Sequence, residues 1–495
     1  MKRLSIFKKS PKITLGTADH SLPLLPFNVI LPKQYISAHK HVIGVSKMGK
    51  SRTLEAMFLQ LMDQGIGVSF IDPHGDSSVN ILAMLIKNGF FEDKDNFKRF
   101  LYVEFLEDDY FLPFNILKVH RDEEGQPRLR PSTLADIVRD AFHRCWPNLD
   151  LGNAPRFDDI IGKGCQVLIS NHLPISCMSR LLENKEYRDQ LLENVTDFDV
   201  LSFFRNRVDK WETTKEGVMM MESTLTRISL MTDSDVLKYS LGQTDNVLDF
   251  RSIMDQGVCV IYNLSLIQNE TAQKFLGCLL TRGYEAGARS RAGTLTHQRR
   301  PHHLIFDEFH KFSAQSEEAL STALSELRKY EYYSTMAHQT FSQASWKLRG
   351  ALQNAEVRIV FRVGHDDAEY LAPIIGDTDP TKVKEEVSET LVGTESDKKG
   401  LKAFLELKAQ WEDWTKTLEN LPKRHAYVKI LGRRGAVKMK NLTLPSTEDV
   451  SQSEIDRIRR EYRLRLMTAK DKLLLPHQAN LAKSVNLSRV AYIHD

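Results

Sequence analysis

Short runs of apolar and β-branched residues alternate along the chain with stretches in which apolar residues recur every three or four positions. The first pattern predicts buried strands and the second amphipathic helices, so their alternation predicts βαβ units around a parallel sheet. Because the strand runs are apolar almost throughout, we expect them to be buried on both faces. The predicted strands are His41–Val45, Ile66–Ile71, Phe100–Phe105, Val258–Leu264, Leu304–Phe306, Tyr333–Ala337 and Ile359–Val363.

The alternation stops between about Pro131 and Tyr239, where the helical period continues without a convincing strand. We therefore predict an α/β fold with an inserted all-helical subdomain. The predicted boundaries are 1–125 and 246–447 for the two parts of the α/β domain, 126–245 for the insertion and 448–495 for a basic helical tail.

The tail contains a basic amphipathic helix with an apolar stripe of Ile455, Ile458, Tyr462 and Leu466. Ser453 with Asp456 resembles a capping box at its start. The stripe favours packing on the core or on a partner subunit, and contact with nucleic acid is the alternative.

The composition excludes several classes of protein. Lys and Arg number 68 against 65 Asp and Glu, so the net charge is only +3 over 495 residues and does not by itself indicate a nucleic-acid binder. The five cysteines show no metal-binding or disulfide spacing. No apolar run approaches the ~20 residues that span a bilayer. We expect a cytoplasmic protein without an integral membrane segment.

The segment HVIGVSKMGKS (residues 41–51) reads as a strand followed by G-x-x-x-x-G-K-S, the pattern of a phosphate-binding loop. In such a loop, backbone N–H groups and a helix N-terminus surround the phosphates. Lys50 is expected to reach the β- and γ-phosphates and Ser51 to bind Mg²⁺, whereas Lys47 occupies a position where glycine is common. The residues assigned to nucleotide contact are Gly44, Ser46, Lys47, Met48, Gly49, Lys50, Ser51, Arg52 and Asp72.

Asp307 and Glu308 end the apolar strand in HHLIFDEFHKF (residues 302–312). At such a strand end Asp307 can bind Mg²⁺, and Glu308 can orient the water that attacks the γ-phosphate. A solvated acidic turn is the alternative. Together with the loop, this pair predicts ATP binding and hydrolysis.

Two other strand ends carry polar residues. Asp72 follows Ile66–Ile71 and faces the same crevice if the strands are parallel neighbours, although the sequence DPHGD also has strong turn chemistry. Gln339 follows Tyr333–Ala337, where it can contact the γ-phosphate, and we expect the preceding His338 to be structural.

Arg328 ends a predicted helix at the rim of the site. Its side chain can stabilise phosphoryl charge in a neighbouring subunit, or it can simply offset the helix dipole. Arg358 and Arg362 are the other arginines considered for that role.

The order of these segments resembles the HerA/FtsK superfamily, and is most similar to the TraG/TraD-like conjugative coupling proteins. The resemblance runs from about Leu24 to Leu444 and implies a RecA-like P-loop fold that forms a hexameric ring around DNA. It places the Walker A residues at Gly44, Gly49, Lys50 and Ser51, and the Walker B pair at Asp307 and Glu308. It further implies that Gln339 is the sensor and Arg328 the trans-acting arginine. Unlike typical coupling proteins, this sequence shows no N-terminal membrane helices.

Two functions follow from the resemblance. The first is an ATP-driven translocase of double-stranded DNA, for which the basic segment SRAGTLTHQRRP (residues 290–301) is either a DNA-contacting loop or a solvated connector. The second is an ATP-dependent scaffold that activates a partner nuclease or effector, in which the nucleotide acts as a switch.

Overall fold

The chain divides into two compact units. The computed structural model describes residues 12–19, 27–106, 109–145, 154–211, 213–313, 324, 326–343, 349–350, 352–377, 407–473 and 475–476. The first unit comprises Met1–Pro11, Phe58–Ser334 and Pro445–Asp495, and the second comprises Lys12–Met57 and Thr335–Leu444. The domain boundaries drawn from the sequence stay a prediction.

Each unit is built on β-strands. The strands are β1 (Ile13–Ala18), β2 (Asn28–Leu31), β3 (Lys40–Ile43), β4 (Gly67–Asp72), β5 (Phe100–Glu104), β6 (Tyr110–Phe111), β7 (Cys259–Asn263), β8 (His302–Phe306), β9 (Tyr332–His338), β10 (Val357–Val360), β11 (His425–Ile430), β12 (Ala436–Asn441) and β13 (Thr468–Ala469). In the first unit, the order β8-β4-β7-β5 is parallel throughout. In the second, the order is β2-β1-β12-β11-β10-β3-β9, with β10, β3 and β9 parallel and the other pairs antiparallel.

Helices surround these strands and make up the insertion. They are Lys33–Ile36, Lys50–Asp63, Asp76–Lys87, Asn96–Arg99, Pro131–Cys145, Ala154–Ser170, Met178–Glu183, Lys185–Leu192, Phe198–Phe203, Asp209–Trp211, Lys215–Ile228, Leu230–Asp233, Asp235–Ser240, Phe250–Gln256, Glu270–Arg289, His310–Ser313, His365–Ile375, Leu407–Glu419 and Gln452–Leu466. Every described element from Pro131 to Ser240 is helical. Among the described residues, no helix has both the length and the apolar character needed to cross a bilayer.

The predicted α/β fold is confirmed, because every predicted strand is present with its ends shifted by only a few residues. Every residue of β3, β4, β7, β8, β9 and β10 is buried, as expected for strands covered on both faces. The antiparallel strands β1, β2, β11 and β12 were not among the predictions. All four strands mix buried residues with partly or fully exposed ones, and β11 and β12 also carry lysines, so they lack a continuous buried apolar run.

The C-terminal helix Gln452–Leu466 packs on β5 in the first unit. Ile455, Ile458 and Tyr462 are buried, while Leu466 is half-buried. The predicted capping box was wrong by two residues: Ser451 is the N-cap, and its side chain and that of Glu454 exchange hydrogen bonds with each other's backbone N–H groups. The helix therefore begins earlier than the sequence pattern indicated.

Candidate functional site

The phosphate-loop sequence forms the strand, loop and helix that it predicts. The chain leaves β3 at Ile43 and enters the helix at Lys50. The Lys50 ammonium group donates hydrogen bonds to the carbonyl oxygens of Gly44 at 2.5 Å and Val45 at 3.3 Å. The loop thus wraps around a buried cation at the N-terminus of a 14-residue helix, where the helix dipole adds positive potential.

The two glycines of the loop have no room for a side chain. A Cβ atom on Gly44 would lie 2.5 Å from Cβ of Phe361, and one on Gly49 would lie 2.7 Å from Nδ2 of Asn441. That Asn441 amide donates a hydrogen bond to the Gly49 carbonyl oxygen at 2.8 Å. Close packing against Phe361, which follows β10, and against Asn441 of β12 therefore fixes the path of the loop.

Lys47 adopts the left-handed conformation, with φ of 64°. This conformation costs a non-glycine residue roughly 1–2 kcal/mol, and it explains why glycine is common at this position. The Lys47 side chain is exposed, and the next residue is held by a hydrogen bond from the Arg424 backbone N–H to the Met48 carbonyl at 2.9 Å. The loop therefore keeps its shape with lysine present.

The two residues that follow the loop lysine differ in their surroundings. Ser51 is half-buried directly after Lys50. Arg52 is exposed and pairs with Glu55 on the next helical turn, N to O 2.9 Å. The helix start thus presents one hydroxyl group and one cation that is already paired.

Gln339 lies beside the loop, as the sequence predicts for the sensor position. It follows β9, which pairs in parallel with β3 so that His338 lies opposite Ile43. The Ser46 hydroxyl donates a hydrogen bond to Oε1 of Gln339 at 2.8 Å. The structure therefore brings these two predicted residues together.

A buried histidine pair, missed by the sequence analysis, joins the same two strands. Nε2 of His41 lies 2.6 Å from Nε2 of His338, and the rings stack with centroids 4.9 Å apart. Nδ1 of His338 faces the Thr340 carbonyl at 3.0 Å, so it carries the proton, and Nε2 of His338 accepts from His41. Burial, together with His338 and Arg358, lowers the pKa of His41 well below its usual value. The expectation of a structural His338 fits this geometry.

The acidic residues predicted at strand ends, Asp72, Asp307 and Glu308, all lie in the first unit. Ile71 of β4 lies opposite Phe306 of β8, so Asp72 and Asp307 occupy neighbouring positions in the register. Asp307 and Glu308 are 5% and 4% exposed, which rules out a solvated turn. Glu308 has a left-handed φ of 54°, and its carboxylate lies 3.3 Å from Nδ1 of His310. Burial lowers the pKa of His310, although the Glu308 carboxylate opposes that shift.

The carboxylate of Asp72 accepts hydrogen bonds from the turn that directly follows it. Oδ1 accepts hydrogen bonds from the backbone N–H groups of His74 and Gly75, both at 2.9 Å. Oδ2 accepts from the backbone N–H and the hydroxyl group of Ser78, both at 2.8 Å. These four local donors favour the turn function that the sequence left as an alternative for this residue.

The candidate arginines lie in different surroundings. Arg328 is exposed in a 3₁₀ turn, Leu327–Tyr330, that precedes β9. Arg358 is buried and donates to the Gln353 carbonyl at 2.9 Å, and Arg362 donates to the Leu421 carbonyl at 2.8 Å. The contacts of Arg358 and Arg362 support β10 and its surroundings, which leaves Arg328 as the most accessible of the three.

Part of the chain matches a known family model. Residues 301–404, which include β8 and β9, match the family model described as the TraM recognition site of TraD and TraG. A search of curated protein sequences finds no match to the chain.

Solved structures with the same fold cover nearly the whole chain. The conjugative coupling protein TrwB, solved without its first 70 residues, superposes with a TM-score of 0.55 at 16% identity, over 90% of this chain and 92% of TrwB. TrwB in complex with ADP and Mg²⁺ gives a TM-score of 0.52 at 15% identity, over 90% and 92% of the two chains. VirB4 of Thermoanaerobacter pseudethanolicus gives 0.53 at 14% identity, over 90% of this chain and 99% of VirB4. This chain therefore has the fold of the TraG/TraD-like P-loop ATPases, as the resemblance in its motifs predicts.

Proposed function

We propose that this chain is an ATP-hydrolysing, ring-forming translocase that moves double-stranded DNA during DNA transfer. The observation that carries the proposal is the loop built around Lys50 at a helix N-terminus. The same fold in TrwB has been solved with ADP and Mg²⁺ and with a non-hydrolysable ATP analogue. The phosphate-binding geometry and the fold thus support the same cofactor.

The residues present fit ATP and Mg²⁺. The Ser51 hydroxyl and the Asp307 carboxylate are hard oxygen donors, which Mg²⁺ prefers, and we assign the metal to them. Bound Mg²⁺ would neutralise part of the phosphate charge. Lys50 would hold the β- and γ-phosphates, with the loop residues Gly44 to Arg52 around them. Asp72 is left out because its oxygens are occupied by its own turn.

Glu308 and Gln339 are assigned to the water and the γ-phosphate. The buried Glu308 carboxylate would orient the attacking water, and the Gln339 amide would sense the phosphate that the water attacks. Arg328, which is exposed, would act on the nucleotide of a neighbouring subunit. The ring and the six subunits in it are proposed on the family resemblance.

The family match adds a protein partner. TraD and TraG are described as carrying a TraM recognition site in this region, so we propose that residues 301–404 include a surface for a TraM-like protein.

ATPase assays with and without duplex DNA test the proposal. We expect the turnover of the wild-type chain to rise with DNA and the stimulation to weaken as salt increases, since phosphate contacts release counterions. Lys50→Ala should lose turnover by about 10²–10³-fold, comparable to the removal of a charge-stabilising donor elsewhere. Lys33→Ala, which removes an exposed lysine from another helix of the same unit, is the control.

The variant Glu308→Gln separates translocation from scaffolding. If hydrolysis drives DNA movement, this variant should still bind ATP and form rings but should no longer displace a DNA-bound block. If DNA processing survives without hydrolysis, the translocase proposal is wrong and the scaffold that activates a partner nuclease is favoured. Equal turnover with and without DNA at every salt concentration would also contradict the proposal.

A further inference from the structure

The turn that carries Arg328 is held by the basic segment that precedes β8. The turn ends at Glu331, which has a left-handed φ of 59°. The backbone N–H of Glu331 donates to the Arg328 carbonyl at 3.0 Å, and the backbone N–H of His302 donates to the Glu331 carbonyl at 2.8 Å. The backbone carbonyl groups of Lys329 and Tyr330, which lie between Arg328 and Glu331 in the sequence, accept hydrogen bonds from arginine side chains.

Arg299 supplies the first of those donors. Its Nη1 donates to the Lys329 carbonyl at 2.5 Å, while Nε and Nη2 donate to the Thr294 carbonyl at 2.9 and 2.6 Å. The guanidinium also lies over the Tyr330 ring, 5.4 Å from its centroid. One planar side chain therefore ties the loop around Thr294 to the turn.

Arg291 supplies the second donor from a fully buried position. Its Nη1 donates to the carbonyls of Arg300 at 2.9 Å and Tyr330 at 3.1 Å, and its Nε lies 2.9 Å from the Asp255 carboxylate. Asp255 is paired with Arg251 as well. Such a charge is kept in a buried site only by partners of this kind.

These contacts decide between the two interpretations of residues 290–301. Arg291, Arg299 and Arg300 donate to backbone carbonyls, so the segment uses its guanidinium groups within the fold. A fixed backbone under an exposed arginine reduces the conformational entropy that the arginine loses when it engages a phosphate. The segment is thus a connector whose arginine side chains hold the backbone of the neighbouring turn in place.

We infer that Arg291 and Arg299 are positioning residues that set the direction of Arg328 toward a neighbouring subunit's nucleotide. The inference rests on the proposed function, because it needs an assembled ATPase. It goes beyond that function because it assigns a role to the basic segment. In this role, the segment holds the turn Leu327–Glu331 in the conformation that catalysis needs before the subunits assemble.

A double-mutant cycle on full-length protein tests the inference. Arg299→Met should lower kcat on the order of tenfold, with the KM for ATP and the affinity for ADP within twofold of wild type. Arg328→Ala should lower kcat further, and the double variant should be no slower than Arg328→Ala alone, because Arg299 acts only through Arg328. The matched control is Arg300→Met, since Arg300 donates to Gln256 rather than to the turn.

Hydrogen–deuterium exchange gives a readout that does not depend on turnover. The amides of the turn should exchange faster in Arg299→Met than in wild type or Arg300→Met, and Arg299→Lys should restore part of the protection. Losses of kcat that multiply in the double variant, or unchanged exchange of the turn, would overturn the inference. If Arg328→Ala hydrolysed ATP as fast as wild type while Lys50→Ala was inactive, the inference about Arg328 would be wrong but the proposed function would stand. Turnover that survives Lys50→Ala would instead count against the function.

Discussion

Ser46 and Gln339 are hydrogen-bonded to each other, with the hydroxyl group donating to Oε1 at 2.8 Å. Ser46 belongs to the loop and Gln339 follows the adjacent parallel strand. A shift in the position of either side chain therefore acts directly on the other through this hydrogen bond. The bond uses the oxygen of the Gln339 amide, and the N–H groups that a glutamine amide also carries are the kind of donor that is complementary to a phosphate oxygen.

Gln339→Ala is expected to reduce the discrimination between tri- and diphosphate. The amide is proposed to contact only the γ-phosphate, so affinity for a non-hydrolysable ATP analogue should fall roughly 5–10-fold, about the value of one hydrogen bond. Affinity for ADP should stay within twofold. Isothermal titration of both nucleotides measures this, with Ser342→Ala as the control on the same loop. Equal losses for both nucleotides would contradict the sensor assignment.

Lys47 is expected to tolerate glycine but not a β-branched residue. Its φ of 64° is accessible to glycine without strain, so Lys47→Gly should bind nucleotide within a fewfold of wild type. Lys47→Val should distort the loop, since β-branched residues are genuine outliers in this region. Nucleotide affinity and thermal melting of the two variants measure the difference, and similar behaviour of both would argue against a backbone effect.

Lys40 makes stability depend on pH above neutrality. Its ammonium group is fully buried and donates to the carbonyls of Ile36 at 2.8 Å and Ala38 at 2.7 Å, and burial lowers the pKa of Lys40 to about 7. Between pH 7 and the ordinary value of 10.5, the unfolded chain therefore binds more protons than the folded one. The free energy of unfolding should rise with pH in this window by up to about 1.4 kcal/mol per unit.

Urea denaturation at several pH values checks this expectation. In Lys40→Met the rise should be largely lost, while in Lys33→Met, which removes an exposed lysine, it should persist. An identical pH slope in Lys40→Met and wild type would refute the assignment.

The C-terminal helix should stabilise the first unit through Tyr462. The Tyr462 hydroxyl donates to the Phe100 carbonyl at 2.6 Å, and its ring packs on Phe97 with centroids 5.2 Å apart. Tyr462→Phe should cost about 1 kcal/mol of unfolding free energy, and Tyr462→Ala about 3–5 kcal/mol, because the second change also removes the packed ring. Chemical denaturation measures both, with Leu464→Ala on the exposed face as the control. Equal costs for the two Tyr462 variants would show that the ring contributes little.

The sequence predicts the parallel strands and the phosphate loop because their signals are local. A continuous apolar run marks a buried strand, and glycine, lysine and serine at fixed spacing mark the loop. The contacts that hold the loop come from residues far along the chain, such as Asn441 and Arg424, which carry no motif. The His41–His338 pair is likewise visible only once β3 and β9 are known to be neighbours.

The use of Asp72 and of the basic segment could not be decided from the pattern either. A carboxylate after a strand looks the same whether it accepts from its own turn or from a ligand, and only the four donors around Asp72 distinguish the two. In the same way, Arg291 and Arg299 look like a basic loop until their acceptors are identified as backbone carbonyls.

The docking of the C-terminal helix also affects how the protein behaves at high concentration. β5 is the last strand in the parallel order of the first unit, and Glu104 at its end is 2% exposed and paired with Arg459 and Arg463. An uncovered terminal strand offers its backbone to other chains and promotes aggregation. Removal of residues from Ser451 onward would uncover aromatic surface beside β5 and leave a buried carboxylate without its cations. The tail should therefore be kept in any shortened form intended for crystallisation or microscopy, because solubility depends on it.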